Sequence, residues 1–360
     1  MAEILAGVAA GSRAPLDASR LTRAKTAYTT RRVVLPADAA LLRGTSTAPR
    51  AGDVVLARVT AVGQHKRLER PDGRRAHLFP GDEILVVYGN RYAPDQYEAE
   101  IPDDLGPCDL VAAGGVAARA LTRHAAIGEP TQLEPLGLLA DASGRRVNLA
   151  DRALPWPERA EGDVPTVAVV GTAMNAGKST TAAGLIRGLT STGMRVGAAK
   201  VTGTGAGGDV WLFRDSGADP VLDFTDAGMV STYLAPIEAI EDALALLHGR
   251  LAGAGVDAIV IEVADGILNR ETAELVVRRR FRELVDGVLF AAADATGAIA
   301  GVAWLRERGL PLMGVSGVLT ASPLAMREAG TIDAPIHDLE ALGAGELAAA
   351  LAGKTVARAA

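Results

Sequence analysis

The stretch Val167-Ala168-Val169-Val170-Gly171-Thr172-Ala173-Met174-Asn175-Ala176-Gly177-Lys178-Ser179-Thr180 decides the fold. A short β-branched run leads into a glycine-rich turn that ends Gly-Lys-Ser, and the helix-patterned Thr180–Ile186 follows. That strand–loop–helix order is the one a phosphate-binding (Walker A) loop requires. Backbone N–H groups of such a loop, together with the positive end of the helix dipole, converge on an anion. Gly171 to Thr180 are therefore the candidate nucleotide-binding residues. Lys178 is placed to reach the β- and γ-phosphates and Ser179 to put its hydroxyl on Mg²⁺. The loop is widened: five residues, not four, separate Gly171 from Gly177.

Downstream of this motif, short buried-type strands alternate with helical patterns. Val167–Val170, Val196–Lys200, Ala258–Ile261, Gly287–Ala292 and Pro311–Val315 read as strands. Lys178–Thr190, Ile237–Ala252, Thr272–Leu284 and Ala298–Arg308 read as helices, and the Ala-rich Leu339–Ala360 as a terminal helix. The alternation predicts an α/β domain with a mostly parallel sheet and helices on both faces. Upstream the texture changes. Arg32–Leu35, Val54–Val59, Glu83–Tyr88 and a late pair around Asp141–Val147 read as strands, with turns at Asp72-Gly73, Pro80-Gly81 and Ser143-Gly144. Ala112–His124 reads as the one helix of that half. Three prolines in Arg152–Pro165 mark a linker. The expected domains are a smaller β-rich, barrel-like domain over 1–151, a linker over 152–165 and a P-loop NTPase domain over 166–360.

Composition narrows the function classes. With 360 residues, 49% of them hydrophobic, the chain is long enough for two cores. A net charge of −6 argues against broad nucleic-acid binding, which needs a basic face. The single cysteine, Cys108, precludes an intrachain disulfide, and five scattered histidines do not suggest zinc. There is no apolar run of the roughly 18 residues a membrane span needs, and no leader pattern opens the chain. The expectation is a cytoplasmic protein acting on a small molecule, away from membranes.

A nucleotide-binding loop still needs carboxylates for Mg²⁺, which takes one or two of them and keeps several waters. Glu262 closes the run Ala258–Ile261, and Asp209 follows the glycine-rich Lys200–Gly208; with Ser179 they form the candidate metal set. The plain alternatives are a solvated strand end for Glu262 and a helix cap for Asp209. Lys200, at the tip of the second strand, suits an anionic substrate or a transferred phosphoryl group, though it also reads as an ordinary exposed lysine. Thr202, Thr204 and Gly205 offer hydroxyls and a close backbone approach beside it, and Asp265 and Asp294 add polar groups to the same edge or serve as turn residues.

In these residues the chain resembles dethiobiotin synthetase and its relatives among ATP-dependent P-loop enzymes. The similarity covers roughly residues 166–320. It rests on the widened loop Gly171–Ser179, on Lys200 followed by Thr202, Thr204 and Gly205, on Asp209, and on Glu262 followed by Gly266. The resemblance implies that Lys178 binds phosphates, that Ser179, Asp209 and Glu262 hold Mg²⁺, and that Lys200, Thr202, Thr204, Gly205 and Asp265 face the substrate. It further implies a homodimer, with Lys178, Lys200 and Glu262 carrying a reaction in which ATP phosphorylates a carbamate or carboxylate. The run Glu262-Val263-Ala264-Asp265-Gly266 departs from the family's, the Lys200–Asp209 loop is shorter, and the β-rich domain has no counterpart there. The widened loop is also similar to that of D-glutamate N-acetyltransferase-like P-loop proteins, which carry an N-terminal domain; this resemblance implies N-acyl transfer to a small amino acid.

The N-terminal half adds two clusters. His65–Arg75 is basic around an expected hairpin, and suits an anionic ligand or a solvated surface. Tyr88, Arg91, Tyr92 and Tyr97 suit a cleft, an interface or the packing of a barrel. The leading expectation is an Mg²⁺-dependent, ATP-binding ligase or phosphotransferase for a small carboxylate or amine. A nucleotide-hydrolysing switch or assembly factor acting on a protein partner is the competing one. No Asn/Thr-Lys-x-Asp guanine signature occurs, which favours ATP over GTP.

Overall fold

The computed structural model describes residues 12–36, 38–44, 47–157, 164–349 and 351. Contacts divide the chain into two units. The first runs to Ala153 and includes Thr204–Gly207 and Gly228–Ser231; the second comprises Leu154–Gly203, Gly208–Ala227 and the chain from Thr232 onward.

The first unit is built on a sheet of ten strands, most of them antiparallel. Five of these close into a ring: Thr131–Ala140 pairs with Val54–Ala61, then Glu83–Tyr88, Val116–Arg123, Cys108–Ala112 and back to Thr131–Ala140. Closure removes the free edges that invite aggregation. Successive residues of a strand point to opposite faces, and here both faces are buried. Val55, Ala57, Val59, Ile84, Val86 and Tyr88 enter one core, drawn from all five ring strands. Val54, Leu56, Leu85 and Val87 enter the other, covered by Leu16, Leu21, Leu41 and Leu149. Each such aliphatic side chain, fully buried, contributes about 1.5–3 kcal/mol.

Two expectations for this half are corrected. Ala112–His124 is not a helix but the turn and second arm of a strand pair, with Gly115 at φ 101° in the reversal. Alanine-rich sequence favours helix in isolation, but Ala117 and Ala118 are fully buried within the sheet, and tertiary pairing overrides a weak propensity. Arg32–Leu35 forms turn and coil, and leaves Val34 67% exposed. Three apolar residues with no neighbouring strand to pair with do not make a strand. The turns at Asp72-Gly73 and Pro80-Gly81 form where expected, the first joining Arg67–Glu69 to Arg75–His77. Tyr88 and Tyr97 are fully buried and Arg91 nearly so, which makes that cluster interior packing. The Tyr97 and His65 rings lie 5.8 Å apart, and Arg91 donates to Gln96 Oε1 at 2.9 Å.

The second unit is an α/β domain whose elements run in order: β1 (Thr166–Gly171), α1 (Lys178–Ser191), β2 (Val196–Lys200), α2 (Gly208–Asp215), β3 (Val221–Asp223), α3 (Ile237–Ala252), β4 (Ala258–Glu262), α4 (Arg270–Val277), α5 (Arg279–Leu284), β5 (Gly287–Ala291), α6 (Ala295–Glu307) and β6 (Leu312–Ser316). The six strands are all parallel and lie in the order β3-β2-β4-β1-β5-β6. The chain steps outward from β1 toward β3 and then reverses toward β6, so right-handed crossovers put helices on both faces. β3, a three-residue edge strand, was too short to show a period in the sequence. The expected helix over Thr272–Leu284 breaks at Arg278, whose ψ of 148° is extended. The terminal helix shortens to Leu339–Gly343, with Ala344–Leu347 in a turn; residues 350 and 352–360 of the expected helix lie outside the described residues. No helix among the described residues is long and apolar enough to cross a membrane.

Candidate nucleotide-binding site

In a parallel sheet every strand ends on the same edge, and ligands bind where the connections leave in opposite directions. That point lies between β1 and β4: the chain leaves β1 toward β2 and leaves β4 toward β5. Register completes the placement. Glu262 is the partner of Val169 in β1 and of Lys200 in β2, so the ends of three strands bring the phosphate loop, a carboxylate and a lysine together.

Gly171 ends β1, and the loop Thr172–Gly177 turns into α1 through two left-handed residues, Asn175 at φ 64° and Gly177 at φ 92°. Thr172 N–H donates to Ala291 O at 3.0 Å, Ala176 N–H to Ala173 O at 3.4 Å, and Val318 N–H to Ala176 O at 3.0 Å. Ala173 and Asn175 are exposed and Met174 half-buried, while Thr180 Oγ1 donates to Gly177 O at 2.9 Å. Lys178 opens α1 and is buried, and its Nζ donates to Ala173 O at 2.7 Å. Burial lowers its pKa, against the pull of Glu262 and Asp265. Behind the loop, a Cβ on Gly266 would stand 2.2 Å from Thr172 O, so only glycine lets the segment after β4 lie against it.

Ser179 Oγ donates to Glu262 Oε1 at 3.1 Å. Glu262 is 2% exposed, and burial raises its pKa against the field of Lys200. Lys200 Nζ pairs with Asp209 Oδ2 and lies 4.0 Å from Glu262 Oε1. Burial alone would lower the Lys200 pKa, but Glu262 and Asp209 together raise it well above its ordinary value. Burial would raise the Asp209 pKa; Lys200 and Ser179 reverse that and lower it. Asp209 sits in the first turn of α2. Lys200, expected to face a substrate, lies beside Asp209 and Glu262, two of the three residues expected to hold the metal.

The other expected residues separate. Thr202 Oγ1 accepts from Ala264 N–H at 2.7 Å, which ties the end of β2 to the segment after β4. Thr204 bridges Ser231, and Gly205 N–H donates to Val230 O at 2.9 Å; both fall in the first unit. Asp294 caps α6 by accepting from Gly297 N–H at 2.7 Å.

Asp265 stays at the loop, half-buried in a left-handed conformation with φ 64°. Burial, opposed by Lys178 and Lys200, raises its pKa from 3.8 to about 6. Between those two values the folded protein holds a proton that the unfolded chain has released, so stability falls as pH rises through that window. Asparagine tolerates the left-handed region and carries no such charge. Asp265→Asn is therefore expected to be more stable than the parent above pH 6, by about 1–2 kcal/mol after discounting for partial exposure. The gap should close below pH 4, as read by urea unfolding across the range. A gap independent of pH would contradict this assignment.

Reasoning from sequence missed the segment after β6. Gly317, at φ 100°, lies against the loop, and a Cβ there would be 2.4 Å from Ala176 O. The available signal was a glycine directly following an apolar strand. Three buried polar atoms on this strand-end edge have no hydrogen-bond partner among the described residues: Thr172 Oγ1, Glu262 Oε2 and Ser316 Oγ. Buried polar groups are nearly always paired, so three orphans on one edge point to a polar ligand there.

These residues suit Mg²⁺ bound with a nucleotide. Among the described residues no group of three His, Cys, Asp or Glu gathers as an all-protein metal site. Mg²⁺ needs only a hydroxyl and one or two carboxylates beside phosphate and water, and Ser179 with the unpartnered Glu262 Oε2 supplies that set.

No protein-family model matches the chain, and no curated protein does. Among solved structures, the chain is similar to the signal recognition particle receptor FtsY from Elizabethkingia anophelis, at 16% identity and TM-score 0.33 over 51% of this chain and 54% of that one. It is also similar to the kinase domain of Escherichia coli tyrosine kinase ETK, at 15% identity and TM-score 0.34 over 43% and 67%. The cell division protein FtsY from Thermotoga maritima matches at 17% identity and TM-score 0.33 over 54% and 60%. The match thus spans little more than half of the first receptor's length. The second unit has the P-loop NTPase fold, recognised in the chain's own β1–loop–α1 geometry and parallel sheet.

Proposed function

We propose that the second unit is an Mg²⁺-dependent ATP-binding enzyme that activates a small carboxylate- or amine-bearing substrate by phosphoryl transfer. The observation that carries this reading is the convergence of Lys178, Lys200, Ser179 and Glu262 at one strand-end crevice. Phosphoryl transfer asks little covalent chemistry of the protein; positioning and charge neutralisation do most of the work. Lys178 would exchange Ala173 O for a phosphate oxygen, and the loop N–H groups would hold the β-phosphate. Ser179, Glu262 and Asp209 would hold Mg²⁺, which supplies neutralising charge between the phosphates when bound. Lys200 would stabilise negative charge on the transferred group or fix an anionic acceptor.

The test is ATP hydrolysis with Mg²⁺, alone and against a panel of small carboxylates and of diamines with bicarbonate. The expected result is stimulation by one compound, with ADP and phosphate released in step with product. Tight binding with slow turnover that nothing on the panel stimulates would overturn the enzyme reading and favour a nucleotide switch.

A further inference from the structure

Both site lysines are engaged by protein groups. Lys178 Nζ is held by a carbonyl of its own loop, and Lys200 Nζ by the carboxylates. The position of Lys200 is the informative one. Its ammonium pairs with Asp209, lies 4.0 Å from Glu262 Oε1, and that same oxygen accepts from Ser179 Oγ at 3.1 Å. Two of the three groups that would surround a divalent cation, Asp209 and Glu262, therefore flank a lysine, and the third, Ser179, hydrogen-bonds Glu262. The pair is not complete, because Glu262 Oε2 is buried without a partner.

We propose that Lys200 is a tethered cation that occupies the Mg²⁺ position in the free protein, and that metal loading displaces it toward the phosphates. This rests on the nucleotide-binding reading above and adds an order of events to it. Glu262 is buried and Asp209 partly so; two such carboxylates flanking one ammonium repel each other without it, and removing the cation leaves the buried Glu262 charge uncompensated, which is destabilising. A covalently attached ammonium answers that need without a metal. A divalent ion with a harder demand for oxygen ligands replaces it only when it brings enough binding energy, as it does together with phosphates. Once displaced, the ammonium is on a short stem at the end of β2, within reach of the phosphoryl group whose charge it would then meet. One residue would thus keep the free site assembled and couple metal entry to arming of the catalytic lysine.

The test uses the full chain and Mn²⁺ alone, without nucleotide. Lys200→Met is expected to bind Mn²⁺ at least tenfold more tightly than the parent, read by the free-Mn²⁺ electron paramagnetic resonance signal. Lys178→Met removes a nearby positive charge that does not lie between the carboxylates, and is expected to change Mn²⁺ affinity less than threefold. Equal tightening in both variants would overturn the proposal, since it would report only the loss of any nearby positive charge; no tightening in Lys200→Met would also overturn it. If Lys200→Met does not fold, the wild-type protein decides. Its Lys200 ammonium ¹⁵N signal, assigned with Lys200→Arg, should shift as Mg²⁺ and ATP together saturate the site, and a signal unchanged at saturation overturns the displacement. Binding of a fluorescent ATP with saturating Mg²⁺ is measured separately. Its absence, beside a tenfold gain in Mn²⁺ affinity, would fail the nucleotide reading and leave the cation exchange standing.

Discussion

Lys178→Ala is expected to lower nucleotide turnover by at least about 100-fold, the loss typical of removing one preorganised donor from developing negative charge. The fold should be nearly unaffected. Among the described residues the ammonium makes a single hydrogen bond, to Ala173 O, and Ala173 is exposed enough for water to replace it. Losing such a bond costs about 1 kcal/mol. The side chain lies next to the loop that gathers the phosphates and is already partly stripped of water, so phosphate contact requires a change of partner rather than a fresh desolvation. Turnover and melting temperature measured side by side separate the two effects. Turnover within a few fold of the parent would remove Lys178 from phosphate contact, and a collapsed melting temperature would show that Ala173 O depends on it.

The phosphate loop was legible in the sequence because its chemistry is local. Strand, turn and helix follow one another within Val167–Ile186, and each residue's role depends on near neighbours. Glu262 and Lys200 were legible as strand-end residues for a related reason, since parallel strands deliver their carboxyl ends to one edge. Their pairing was not. It depends on β4 lying between β1 and β2, which no local pattern encodes. The same limit applies to Thr202: the sequence shows a small hydroxyl beside a glycine-rich loop, but not that Ala264 N–H donates to it across the neighbouring strand ends. In the first unit the misread Ala112–His124 segment has a different origin. The start of this strand, Val116–Ala118, is buried on both faces and shows no polar–apolar alternation, and alanine then reads as helix. Ring closure through Cys108–Ala112, which pairs on both sides, belongs to the whole sheet and to none of its strands alone.

Gly317 is where that limit yields the largest structural prediction. It has no place in any phosphate-loop motif, yet its backbone fills the space against Ala176. An added Cβ would meet Ala176 O at 2.4 Å and Ala292 N and O at 2.8 Å, all backbone atoms that cannot rotate away. Its φ of 100° and ψ of −162° also lie in a region that residues with a side chain avoid. Gly317→Ala is therefore expected to lose about 3 kcal/mol of stability, the sum of backbone strain and overpacking, and to weaken nucleotide binding by pushing on the loop. Gly193 supplies the control. It has a similar φ of 91°, but a Cβ there meets nothing within 4 Å. Gly193→Ala should lose only the strain component, about 1 kcal/mol, and leave nucleotide affinity unchanged. Urea unfolding together with fluorescent-nucleotide titration of the two variants tests the comparison. If they lose stability equally, contact with Ala176 contributes nothing. If Gly317→Ala is destabilised but binds nucleotide normally, the loop holds its shape without support from β6. The expected pattern, a larger stability loss coupled to weaker binding in Gly317→Ala alone, would make the turn after β6 part of the phosphate site.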